Sequence, residues 1–158
     1  LGVSAEDQKR ADERISVLEV IPAYRRFVSF EPLLGAIELL NRCRSTCADM
    51  RCTKVRGHAG DHCGIAPTDG WGNEQPRFPR IDWAIIGFES GRKARPGRLP
   101  HMHGLLHECG EAKIAAFIKQ LGRLPVDHHG DVYALAHPKG GDINEWPEEF
   151  RIRERPAL

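Results

Sequence analysis

The feature that most constrains the fold is the run Ile81-Asp82-Trp83-Ala84-Ile85-Ile86-Gly87, which is almost unbroken in apolar character over the length of one strand. A strand reads this way when both faces of its sheet are covered, the usual condition of parallel sheets. It runs into Glu89-Ser90-Gly91, so a carboxylate follows the strand. Arg26-Phe27-Val28-Ser29-Phe30 repeats the pattern and ends at Glu31-Pro32, where the proline restricts Glu31 to an extended backbone. Leu1-Gly2-Val3-Ser4 reads as the tail of another buried strand. Ser4 and Asp7 then resemble a capping box with Asp in place of Glu, and Ala11, Ile15 and Leu18 recur at helical spacing as far as Pro22. The spacing predicts a helix from about Ala5 to Val20. Met102, Leu105, Leu106 and Cys109 fall at i, i+3, i+4 and i+7, one stripe of a second helix ending near Gly110, and Ile114 to Ile118 forms a further strand closed by Lys119 and Gln120. Strand, helix, strand therefore occurs twice, which predicts an α/β fold with parallel pairing through right-handed crossovers.

In such folds the C-terminal strand ends carry the chemistry. Ser4, Glu31, Glu89, Lys119 and Gln120 are thus expected on one rim, with Ser90 beside them. The basic cluster Arg92-Lys93-Ala94-Arg95, with Arg98, follows Glu89 and offers charge for a phosphate or carboxylate. Gly87-Phe88-Glu89-Ser90-Gly91 is not a phosphate loop, because it lacks both the Lys-Ser/Thr ending and the G-x-G-x-x-G order. The net charge of +1 gives little excess for phosphate contacts, so nucleic acid is a disfavoured partner. The 41% hydrophobic content excludes wholesale disorder, while 16 Gly and 11 Pro predict long loops. No run of 18 apolar residues occurs, so no membrane partner is expected, and a cytoplasmic setting is the default. Leu1 in place of Met, at a strand with no upstream neighbour, predicts a fragment whose missing N-terminal half supplies adjacent strands.

Between the two βαβ units, residues 41–79 hold four of the five cysteines in the series Cys43-x3-Cys47-x4-Cys52-x5-His58-x3-His62-Cys63. Thiolate and imidazole at this density suit a tetrahedral zinc ion, whose binding would supply the folding energy of so polar a stretch. Cys52, His58 and His62 are the expected ligands, completed by Cys43 or Cys47. Four protein ligands leave no open position for water, so the site is read as a structural clip. Disulfides such as Cys43 to Cys63 fit badly with a chain lacking a secretion signal. C-x3-C-x4-C is not the C-x3-C-x2-C spacing that leaves one iron open. His103 and His107 lie one helical turn apart, but they flank an apolar stripe, where exposed histidines are the commoner case. The organisation is therefore 1–40 as the first βαβ unit, 41–79 as a Cys/His-rich insertion, 80–122 as the second unit, and 123–158 as a docked C-terminal extension.

Leu1-Gly2-Val3-Ser4 with Glu6-Asp7-Gln8, Arg26 to Ser29 with Glu31-Pro32-Leu33-Leu34-Gly35, and Asp82-Trp83 through Gly87 to Glu89-Ser90-Gly91 are similar to successive signatures of one family. Lys119-Gln120 and Lys139-Gly140-Gly141-Asp142 to Trp146-Pro147-Glu148 continue the same order. The chain resembles the phage gene-product thirty-seven/sixty-eight family, a domain of unknown function that is itself similar to radical S-adenosylmethionine (SAM) enzymes. The resemblance implies the C-terminal half of a partial (β/α) barrel with parallel strands, interrupted by the Cys/His-rich insertion. It implies a [4Fe-4S] cluster and SAM bound by the full-length protein, with the cluster cysteines in the missing half, so that the fragment alone is inactive. Glu31, Glu89 and Lys119 are then the expected catalytic residues, with Ser4, Ser90 and Gln120 toward the cofactor; the carboxylates would take the SAM amino group or a substrate donor, and Lys119 a substrate anion. Phe88 stands where the family more often has Gly, and Leu121 where Trp is usual. The alternative is a non-enzymatic phage module, stabilised by zinc, that binds a host protein or, through Arg51, Lys54 and Arg56, nucleic acid.

Overall fold

The computed structural model describes residues 1–39 and 80–157. Its elements in chain order are β1 (Gly2–Ser4), α1 (Gln8–Val20), β2 (Phe27–Phe30), β3 (Trp83–Gly87), β4 (Gly97–Arg98), α2 (Leu99–Ala112), β5 (Ala115–Gln120) and β6 (Pro125–Val126), followed by two short 3-10 turns, Ile143–Glu145 and Glu148–Phe150. The chain is a mixed α/β protein with a four-stranded sheet in the order β1-β2-β3-β5, all neighbours parallel. The insertion expected over 41–79, with Cys43, Cys47, Cys52, His58 and His62, lies outside the described residues.

Strand alternation divides the sheet. Val28 and Phe30, Ala84 and Ile86, and Ala116 and Ile118 point to one face and are buried, together with Ala11, Ile15 and Leu18 of α1 and Met102, Leu105 and Cys109 of α2. The two helices therefore cover the same face, as two right-handed crossovers made in one direction require. The opposite face carries Phe27, Trp83 and Phe117 in an edge-to-face row, with ring centroids 6.3 Å and 5.9 Å apart. Phe27 is 37% exposed there, so that face is only half covered.

The first helix begins later than its sequence suggests. Ser4 remains in β1, paired with Ser29, and Asp7 is the N-cap, accepting from the Arg10 amide at 2.8 Å. Extending the sheet by one residue outweighs a cap that Asp7 supplies equally well. The second helix passes Gly110 and stops at Lys113, which adopts a left-handed backbone (φ 56°) and donates its amide to the last carbonyls.

Residues beyond β5 bind back onto it. Ile118 donates to the Ile152 carbonyl and Glu154 to that of Ala116, giving an antiparallel strap along the outer edge of β5. Trp83 Nε1 ties the strap to β3 through the Glu154 carbonyl at 3.0 Å. Trp146 and Phe150 are buried in the main core, the former donating Nε1 to the Gly140 carbonyl at 3.0 Å. Phe88 and Leu121, the two departures from the family pattern, are 1% and 0% exposed, so both serve as core.

Candidate active site at the strand ends

Parallel pairing sets the C-terminal ends of β2, β3 and β5 side by side, and a β-bulge decides what they present. Ile86 faces Ile118, but the next partner of Gly87 is Gln120, leaving Lys119 as the extra residue. Consecutive strand residues normally point to opposite faces, and the bulge removes that restriction. Lys119 Nζ lies 3.0 Å from Glu31 Oε2, and Gln120 Nε2 lies 3.4 Å from Glu31 Oε1 and 3.0 Å from the Phe88 carbonyl. Glu31 belongs to β2's end and its partners to β5, so the contact crosses β3. It crosses at Gly87, where a Cβ would sit 3.4 Å from both Glu31 Oε1 and Gln120 Cγ. That is ordinary van der Waals distance, so the two side chains meet just above the Gly87 backbone.

Glu89 is held by a separate partner. The Arg95 guanidinium pairs with its carboxylate, and the Arg95 amide donates to Oε2 at 2.7 Å. These hydrogen bonds hold the Glu89 carboxyl down to about 2. Part of the basic cluster singled out in the sequence is therefore committed within the chain, and Arg95 as the partner of Glu89 is the functional contact that sequence reasoning missed.

The rim is fixed from below by close backbone packing. Gly122, at φ +74°, would place a Cβ 2.6 Å from the Glu89 carbonyl, and Arg123 donates its amide to that same carbonyl at 2.8 Å. Leu33 donates to the Gly87 carbonyl and Leu34 to that of Glu6, each at 2.8 Å, joining the loops after β1, β2 and β3. A cavity of about 410 Å³ opens on this rim, lined by Glu31, Pro32, Phe88, Glu89, Ser90 and Gln120, with Gly91, Lys93 and Ala94.

Of the residues expected to act together, Glu31, Glu89, Ser90 and Gln120 share this cavity, and Lys119 joins them through Glu31. Ser4 stands apart, exposed at the end of β1, where its carbonyl accepts from Arg14. Both carboxylates already meet a cation, so a ligand ammonium would have to compete with Lys119 or Arg95. A second cavity, of about 540 Å³, lies at the opposite end of the sheet near Arg25, Asp82, Cys109, Lys113, Glu154 and Arg155, and holds none of the expected site residues. His103 and His107 are exposed on α2, and among the described residues no group of three or more His, Cys, Asp or Glu could hold a metal ion. Among the described residues, no helix is long and apolar enough to cross a membrane.

A family model described as a protein of unknown function (DUF5131) matches residues 1–147. No curated protein and no solved structure matches the chain.

Proposed function

The chain belongs to this family of proteins of unknown function, and we propose that its strand-end rim is the reaction face of the C-terminal half of a phage-associated radical-SAM-like enzyme, built as a partial (β/α) barrel. The observation that supports this reading is the cluster of Glu31, Lys119 and Gln120 gathered from strands on either side of β3 beside a cavity, the location where parallel α/β sheets carry their chemistry. Glu31, Glu89 and Lys119 are the proposed catalytic residues, and Ser90 and Gln120 the proposed contacts of SAM, to which they offer hydroxyl and amide hydrogen bonds.

A [4Fe-4S] cluster is held by cysteine thiolates. The described residues do not fit one: Cys109 is their single cysteine, and burial pushes its thiol up to about 12. The family resemblance implies that the cluster and its ligands belong to an N-terminal half of the same protein. The half-covered face of Phe27, Trp83 and Phe117 and the outer edge of β1 support docking of that half. In residues 41–79 a structural zinc on Cys52, His58, His62 and either Cys43 or Cys47 is the companion proposal, supported by ligand type and spacing. The proposed setting is the cytoplasm, where thiols stay reduced.

Metal analysis of the anaerobically purified gene product that contains this chain tests the reading. Iron and sulfide at about four each per chain, with about one zinc, are expected. Zinc without iron after reconstitution would overturn the enzyme and leave a zinc-bearing binding module.

A further inference from the structure

The charge of the strand-end cavity is not what two carboxylates on its wall suggest. Glu31 has Lys119 at 3.0 Å, and Glu89 has the Arg95 guanidinium and amide, so each carboxylate is already balanced by a cation. The third charged side chain on the wall is Lys93, which has no ion pair or hydrogen bond among the described residues. Counting the wall and its bound partners, three cations face two anions, and Arg92 adds an exposed charge next in sequence. Beside Lys93 the Gly91 carbonyl accepts from the Ala94 amide at 3.1 Å, so the segment turns on itself and Ser90, Gly91, Lys93 and Ala94 all line the same space. Pro32 and Ala94, both partly exposed, give the cavity an apolar side, and about 410 Å³ is the volume of a small-molecule site.

We propose that this cavity binds the oxyanion end of a small ligand, a carboxylate or a phosphate, with Lys93 and the Ser90 hydroxyl as its donors and Pro32 and Ala94 beside the apolar remainder. The proposal rests on the reading of the rim as a ligand site and adds the chemical class. An anion gains a charge-assisted contact from Lys93 without disturbing either existing ion pair, whereas a ligand cation must break one. Arg95 is a positioning residue here, since it holds Glu89 back from repelling the anion.

The test is titration of the 158-residue chain with inorganic phosphate and, separately, with acetate at constant ionic strength, followed by amide NMR shifts. Saturable shifts confined to residues 88–94 are expected, and Lys93→Gln weakens binding by about tenfold. Lys113→Gln, at the opposite cavity, leaves it unchanged. Tighter phosphate assigns a phosphorylated ligand, and tighter acetate a carboxylate. No saturable shift, equal affinity in Lys93→Gln, or an equal loss in Lys113→Gln overturns the proposal. The readout uses neither iron nor SAM, so it fails or holds independently of the enzyme reading, which the metal analysis of the gene product that contains this chain decides.

Discussion

Gly140→Ala tests whether the rim is held by backbone contact. Gly140 adopts φ +60°, and a Cβ there would lie 2.2 Å from the Gly122 carbonyl oxygen and 2.9 Å from the Gly122 nitrogen. Neither neighbour is a flexible side chain, so Gly140 itself must move. Its carbonyl accepts from the Leu121 amide at 2.9 Å and from Trp146 Nε1 at 3.0 Å, and displacement loosens both bonds. The left-handed backbone costs an alanine about 1–2 kcal/mol, and weakening two hydrogen bonds costs about 1 kcal/mol each. The stiffer unfolded chain returns about 0.5 kcal/mol, leaving a net loss of about 3 kcal/mol. For a domain of this size that lowers the melting temperature by about 10 °C, measurable by circular dichroism. Gly130→Ala is the control: its φ is +93°, but a Cβ there meets nothing within 4 Å, so only backbone strain is added. If Gly140→Ala melts no lower than Gly130→Ala, the close stacking of residues 122 and 140 contributes nothing and the reasoning fails.

Glu89→Gln changes the acid limb of stability. The folded carboxyl is depressed to about 2 from its ordinary 4.5, so its contribution is full above about 4.5 and disappears as pH falls through 2. The gap in melting temperature between wild type and variant should be widest near pH 6 and close toward pH 2; a constant gap refutes the pairing with Arg95. Trp146→Phe removes the donor to the Gly140 carbonyl and shrinks the ring beneath the Arg153 guanidinium, costing about 2 kcal/mol in urea unfolding; an unchanged midpoint counts against it. Cys52→Ser together with His62→Ala should lower bound zinc from about one per chain to near none by elemental analysis, and retention of full zinc would remove those two residues from the site.

The alternation of strand and helix was legible because burial writes itself into sequence locally: the apolar run at Ile81 and the stripe through Met102, Leu105 and Cys109 lie in β3 and on the buried face of α2. Boundaries were less legible. Ser4 and Asp7 are both good caps, and the choice fell to a distant pairing with Ser29. The fifth strand was expected to stop before Lys119, yet it runs through Gln120 because the bulge lets a polar pair stay in register beside Gly87. Glu31, Glu89 and Gln120 could be set at one edge from their places after strands. Their partners could not: Lys119 reaches a residue 88 positions away, and Arg95 is one of several arginines that a local reading cannot tell apart. The contact of Gly122 with Gly140 joins two loops with no periodicity, leaving only the glycines themselves as a signal.

The strap of Ile152 to Glu154 gives the sheet a direction of growth. By occupying the outer hydrogen-bonding groups of β5 it terminates the ladder on that side, whereas β1, the other end of the order, has β2 as its single partner among the described residues. Among the described residues the open edge is that of β1, and pairing of a further strand to β5 would first require the strap to be peeled away. The described sheet therefore has one finished edge and one open edge, and that polarity is set by three residues of the tail.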